Sequence, residues 1–310
     1  MTDRTLPAIS IDGVIKPKEE AVISVFDHGF LYGDGVFEGI RIYGDRIFRA
    51  ERHMIRLFRS ARVIALKIEF TPEEVIEEIR RLARHWSEIN NHDLRINKDP
   101  LYVRVVVSRG DGDLGLNPTK CPRSRLVVIV DRIKLYPQKD YENGLTLVTT
   151  AIKRNLPDSL PPQVKSLNYL SNVLAKLDAN REGAAEAIFL NQNGYVAEAT
   201  ADNLFIWRDG VLTTPPTCDG ALPGITREAV LELAGKLGVP SREWHITLAD
   251  LFSADECFVT GTAARVVPVT TIDGREIGDG RPGPVTKKFM NAFVELTQKD
   301  GICIFDEVIA

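Results

Sequence analysis

The sequence predicts an α+β fold in two domains, and three observations carry that prediction. At 310 residues the chain is longer than a single hydrophobic core usually serves. Strands joined by tight turns and amphipathic helices occur in both halves, so each half can close a core of its own. Between the halves, "DRIKLYPQKD" (131–140) reads as a crossover, after which the composition restarts. The boundaries that follow are a small N-terminal α+β domain over 1–130, an interdomain loop over 131–138 and a larger C-terminal domain over 139–310.

In the first half, "AISIDGVIKP" reads as a strand pair turning at Asp12-Gly13, and "FEGIRIYGDRIFRA" as a second turning at Gly44-Asp45. "AERHMIRLFRSARVI" puts Met54, Leu57, Phe58, Ala61 and Ile64 on one helical face. Thr71 is a helix N-cap, with Pro72 at the first position and Glu73 and Glu74 in the first turn, and that helix runs to about Trp86. "NNHDLRINKDP" is polar and looped, whereas "LYVRVVVSRG" and "SRLVVIVDRI" are β-branched strands.

The second half opens on the strand "LTLVTTAIKR" and continues into a helix read from "PPQVKSLNYLSNVLAKLDANREGA" (161–184). There Leu167, Leu170, Val173, Leu174 and Leu177 recur at helical spacing, with Lys165 at the helix mouth. "EAIFLNQNGYVAEAT" is a hairpin around Asn193-Gly194, and "NLFIWRDGVLTTPP" another around Asp209-Gly210. "GALPGITREAVLELAGKLGVP" is a helix stopped by Gly238 and Pro240. "DECFVTGTAARVVPVTTIDG" gives strand, small-residue turn and strand.

Composition narrows the function. A net charge of −4 with Lys and Arg spread throughout argues against nucleic acid or an anionic membrane as the main partner. No apolar run approaches the ~18 residues of a spanning helix, and "MTDRTLPAIS" lacks the apolar core of a signal peptide. Cys121, Cys218, Cys257 and Cys303 lie far apart with no CxxC pair, as in reduced thiols of a cytosolic protein, so a cytoplasmic location is expected. No two histidines stand one helical turn apart, and no metal site is expected.

Four features carry chemistry. Lys165 is either a snorkelling surface lysine or an amine partly desolvated against apolar neighbours and so made nucleophilic. "LPGIT" is either a plain Gly-Pro turn or an anion site formed by the N–H groups of Ile225 and Thr226 at a helix start. "TGTAA" (260–264) offers a hydroxyl and room for close backbone approach. Glu198, flanked by Ala197 and Ala199, either faces solvent or is buried against a cation. An activated lysine, a phosphate cradle and a carboxylate together suit pyridoxal 5′-phosphate, whose pyridinium nitrogen needs an acidic partner.

The ordered stretches "VKSLNYLSNVLAK", "GYVAEATADNLF", "GALPGITRE" and "FVTGTAARVVPV" resemble the class IV aminotransferases over roughly residues 8–290. That resemblance implies a fold-type-IV enzyme like the D-amino acid aminotransferases, with pyridoxal 5′-phosphate between the domains and the C-terminal domain binding it. Lys165 matches the lysine that joins the cofactor and shuttles the proton. Glu198 matches the carboxylate on the pyridine nitrogen, and Tyr169 the tyrosine on the phenolic oxygen. Arg56, Ile225, Thr226 and Thr262 match the phosphate-binding set.

On the substrate side, "VFEGIR" within "FDHGFLYGDGVFEGIRIY" (26–43) is similar to the branched-chain form of the family. There Tyr32, Phe37 and Arg41 match residues lining the apolar pocket, although Phe37 reads equally as a core aromatic. Tyr102, Arg104 and "GDLGLNP" match the branched-chain pattern too, and Tyr136, Thr262 and Ala263 complete the implied substrate set. D-amino acid aminotransferases carry an Arg-x-His trap in this region, and residues 109–118 hold no histidine. Departures exist. "YGDGVFE" and "KSLN" also resemble the D-amino acid branch, Arg265 stands where many branched-chain enzymes have Glu, and Ile133 replaces an aromatic.

The implied activity is transamination of L-leucine, L-isoleucine and L-valine with 2-oxoglutarate, by a homodimer or higher homo-oligomer acting on small molecules. D-amino acid or (R)-amine transamination and aminodeoxychorismate lyase activity are the alternatives.

Overall fold

Turn chemistry and capping place the elements of the fold, which was obtained as a computed structural model describing residues 5–97, 99–133 and 135–305. Lys98 of the polar loop and Lys134 of the crossover lie outside the described residues. The chain divides into two compact units. One takes in residues up to Ile133, then Val164–Asn168 and Thr297 onward; the other comprises Lys134–Gln163 and Tyr169–Leu296. The return of 164–168 and of the C-terminal segment to the first unit has no counterpart in a single boundary at 131–138.

In the first unit, β1 (Ala8–Ile11) and β2 (Val14–Lys16) turn at Asp12-Gly13, both at positive φ, as a two-residue hairpin requires. A one-turn helix α1 (His28–Tyr32) precedes β3 (Gly35–Tyr43) and β4 (Arg46–Ile47). Two longer helices follow, α2 (Ala50–Val63) and α3 (Pro72–Ile89). Thr71 and Glu74 form a reciprocal capping box on α3, and the helix runs three residues past Trp86. Then β5 (Leu101–Ser108) and β6 (Arg125–Arg132) pair in the middle of an antiparallel sheet ordered Ile302–Cys303, β4, β3, β5, β6, β1, β2. Leu57, Ile79, Leu82 and Trp86 from the helices bury against Ile40, Val103, Val105 and Val128.

The second unit begins with a short helix α4 (Gln138–Asn143), where the sequence suggested only a crossover, and β7 (Leu145–Lys153). Helix α5 (Leu170–Arg181) starts five residues after Lys165, so Lys165 is not at a helix mouth. The apolar spacing of α5 misleads as well. Leu170, Val173, Leu174 and Leu177 are exposed, Leu170 by 70%. The buried face is Asn172, Ala175 and Ala179; the two alanines pack with Ala187 and Phe189, and Asn172 donates to Thr200 O.

Strands β8 (Glu186–Leu190) and β9 (Val196–Ala199) form the Asn-Gly hairpin, though its loop is five residues closed on the Asn191 side chain. β10 (Asn203–Arg208) and β11 (Val211–Thr214) turn at Asp209-Gly210 with both φ values positive. Next come α6 (Ile225–Lys236), β12 (Ser241–Glu243), α7 (Leu248–Phe252), β13 (Glu256–Gly261), β14 (Arg265–Ile272), β15 (Arg275–Glu276) and α8 (Pro284–Thr297). The mixed sheet runs β12, β11, β10, β13, β14, β7, β8, β9, with β15 on β14. Among the described residues no helix is long and apolar enough to cross a membrane.

Candidate active site

Alternation along β3 sorts the first unit's candidates onto two faces. Cross-strand pairs Phe37–Val106, Gly39–Arg104 and Arg41–Tyr102 put these side chains on one face. The Arg104 guanidinium lies 4.6 Å from the Phe37 ring centroid and 5.4 Å from that of Tyr102. Gly39 is required here: a Cβ would stand 2.2 Å from the Tyr102 hydroxyl, which crosses over it. Arg41 is buried beside the Tyr43 ring.

Lys165 joins this face through its backbone. Phe37 N–H donates to Lys165 O (2.9 Å) and Leu167 N–H to Gly35 O (3.0 Å), so 165–167 runs as a short extra strand along β3. Ser166 then points inward with Val36, and Lys165 turns to the Phe37 side. Its ammonium sits 4.5 Å from the Phe37 ring centroid, a cation–π contact on a half-buried amine. Phe37 is buried and has two cations within 5 Å of its ring centroid, Arg104 at 4.6 Å and Lys165 at 4.5 Å. Tyr32 is exposed at the end of α1, its hydroxyl accepting from Gly115 N–H at 2.9 Å.

The other face of β3 holds a group the sequence reading missed. Glu38, fully buried, accepts from Arg56 Nε (2.7 Å) and Nη2 (2.8 Å) and pairs with His53 Nδ1 (2.8 Å). Burial by itself would raise the Glu38 carboxyl, but the Arg56 guanidinium, helped by His53, holds it well below the usual carboxylate range. For His53 burial outweighs the attraction of Glu38 and lowers its pKa, with Arg56 and Lys165 adding to the effect. The imidazole is therefore neutral at pH 7, and its buried Nε2 has no hydrogen-bond partner. One turn further along α2, Ser60 Oγ accepts from Lys165 N–H at 3.2 Å.

In the second unit, Glu198 is buried on β9 and meets a cation, resolving the two readings of its surroundings. Arg154, just past β7, donates from Nη2 to Oε1 at 2.5 Å. Asn203 Nδ2 (3.0 Å) and Leu222 N–H (2.8 Å) donate to Oε2. Neither Arg154 nor Asn203 was a candidate from sequence; an arginine closing a strand 44 residues away offers no local signal. Asn203 also donates to Leu222 O (3.0 Å), tying the carboxylate to the loop before α6. That helix has Gly224 as N-cap with no side-chain cap, followed by buried Ile225 and Thr226.

Thr262 and Ala263 are half-buried in the β13–β14 turn, and Tyr169 is half-buried just ahead of α5. Tyr136 reaches two buried carboxylates, Asp202 and Glu186. Arg265 adopts a left-handed φ of 66°, its guanidinium 4.9 Å from the ring centroid of Tyr141, whose hydroxyl donates to Ala264 O.

The family model for class IV amino-transferases matches residues 35–272, a span that contains Lys165, Glu198 and the α6 start. The chain belongs to the class IV aminotransferases. Among individual relatives, a Methanocaldococcus jannaschii protein described as "Putative branched-chain-amino-acid aminotransferase" is 44% identical, over 96% of this chain and 99% of that one. The crystal structure of the Escherichia coli branched-chain amino acid aminotransferase superposes with a TM-score of 0.88 at 36% identity, covering 94% of this chain and 95% of that chain. The branched-chain amino acid aminotransferase of Thermobaculum terrenum, solved in its PLP (holo) form, gives 0.83 at 28% identity and 95% coverage of both chains. This class IV aminotransferase thus has the two-sheet α+β fold of those enzymes.

Proposed function

We propose that the protein transfers the amino group of L-leucine, L-isoleucine or L-valine to 2-oxoglutarate, using pyridoxal 5′-phosphate. The observation that carries this reading is the Lys165 amine held over the Phe37 ring, an amine set against apolar surface suited to an aliphatic side chain. The relatives' names point the same way.

The residues fit the cofactor. Glu198 has three donors and, with about four lone-pair positions on a carboxylate, room for one more N–H. The uncapped start of α6 offers N–H groups and a positive helix end to a phosphate. When bound, the cofactor supplies an aldehyde for amine condensation and a ring that withdraws electrons from Cα. Lys165 would hold the aldehyde carbon, then carry the proton removed from the donor's Cα. Glu198 would keep a proton on the ring nitrogen, Tyr169 would hold the phenolic oxygen, and Arg56, Ile225, Thr226 and Thr262 the phosphate. Tyr32, Phe37, Arg41, Tyr102, Arg104, Tyr136 and Ala263 would form the donor pocket, with the arginines accepting the second carboxylate of glutamate.

The exposed apolar stripe of α5, and separately Val22, Val25, Phe26 and Phe30 of the first unit, support a homodimer. A cytoplasmic location is part of the same proposal. The test is a donor screen of L-leucine, L-valine, D-alanine and (R)-1-phenylethylamine against 2-oxoglutarate, following glutamate. Turnover confined to D-alanine or the amine would overturn the substrate assignment.

A further inference from the structure

In the second unit, Tyr136 of the proposed donor pocket meets three ionisable groups that have no role in the chemistry above. Tyr136 before α4, Lys176 of α5, Glu186 of β8 and Asp202 between β9 and β10 converge there. The Tyr136 hydroxyl lies 3.1 Å from Asp202 Oδ2 and 3.3 Å from Glu186 Oε1. A phenol has one hydrogen and can donate to only one of two carboxylates. With both carboxylates ionised, the second contact would set a lone pair against an anion inside the protein.

Proton counting therefore demands another hydrogen on a carboxyl group. Lys176 decides which one keeps its charge, because its ammonium donates to Glu186 Oε1 at 2.8 Å and also to Ala185 O. Asp202 is buried as deeply as Glu186, which is 2% exposed, but among the described residues it makes no ion pair. It is 3% exposed, and its Oδ1 is packed so closely on Gly261 that a Cβ there would come within 1.9 Å.

We propose that Asp202 is held as a neutral carboxylic acid that donates to Tyr136 Oη while Tyr136 donates to Glu186, latching the segment that carries Tyr136 and making Asp202 a positioning residue for the donor pocket. The charged surroundings agree. Burial and the neighbouring Glu186 push Asp202 up to about 7; Glu198 adds to that, and Lys176 opposes it. Burial raises Glu186 despite Lys176, Tyr136 and the Thr200 N–H beside it. Burial and both carboxylates raise Tyr136, so the phenol stays protonated. Near neutral pH the latch proton is then lost as pH rises, and Tyr136 is left with one partner in place of two.

The proton itself does not depend on the function proposed above; its effect on the donor does. Infrared difference spectra of the holoenzyme, between about pH 6 and about pH 8.5, should show the carbonyl stretch of a protonated carboxyl that disappears with rising pH and is missing in Asp202→Asn. Absence of a titrating band in the wild type, or its persistence in D202N, overturns the proposal. Over the same range KM for L-leucine should rise about five-fold, the factor one hydrogen bond is worth, with kcat nearly level. In D202N, whose amide donates to Tyr136 at every pH, KM should stay flat. A titrating band with a flat wild-type KM would overturn the positioning role. A protein that shows the band but fails the donor screen would refute the substrate assignment and leave the proton in place.

Discussion

Replacing Glu38 by Gln tests the buried cluster behind β3. Two carboxylate oxygens there meet three N–H donors, from Arg56 Nε, Arg56 Nη2 and His53 Nδ1. The amide offers one acceptor oxygen and turns an NH₂ group toward donors, so in the cofactor-free protein Arg56 loses the carboxylate it is paired with. Breaking one side of a buried pair costs about 3–5 kcal/mol. For a folding unit of roughly 150 residues or more, each kcal/mol shifts Tm by about 2–4 °C, so a fall of about 6–20 °C is expected. Trp86 is fully buried in the same unit and reports its unfolding by fluorescence.

The pH dependence supplies the sign. Glu38 has its pKa lowered on folding, so its stabilisation is complete above the ordinary value of 4.5 and is lost as pH falls below it. The gap between wild type and E38Q should accordingly narrow between about pH 5 and about pH 3. A variant within ~0.5 kcal/mol of wild type at pH 7, or a gap that ignores pH, would refute this account of the cluster.

Other outcomes follow from the site. Lys165→Ala should abolish transamination without unfolding the protein, and borohydride reduction of the wild type should fix cofactor mass on the Lys165 peptide; label on Lys153 or Lys176 would move the site. L-leucine, L-isoleucine and L-valine should exceed D-alanine in kcat/KM by at least ~100-fold, the cost of a misplaced Cα–H bond. Phe37→Ala, which removes the ring beneath Lys165 and Arg104, should cost about 1–3 kcal/mol in kcat/KM for the aliphatic donors and less for glutamate. Leu174→Glu with Leu177→Glu on α5 should leave the helix folded but shift sedimentation from dimer to monomer, and an unchanged dimer would remove α5 from the interface.

The sequence by itself determined what short-range physics controls. Asp12-Gly13 and Asp209-Gly210 turn because two consecutive positive φ values suit Asp and Gly, and α3 starts at Thr71 because its capping box lies within four residues. Glu198 and the α6 start were readable as candidates because each sits in a local pattern that limits what it can do, whereas Lys165 was singled out by a helix mouth that lies five residues further on. Tertiary structure decided the partners and the faces. Glu38 looked like one polar residue in a strand until α2 brought Arg56 and His53 against it, and Glu198 acquired its cation from Arg154 across two strands. The α5 stripe was misread because periodicity marks a face without saying whether sheet or solvent lies opposite. Ala175 and Ala179 are small enough for close approach to the sheet, and that packing left the leucines outside.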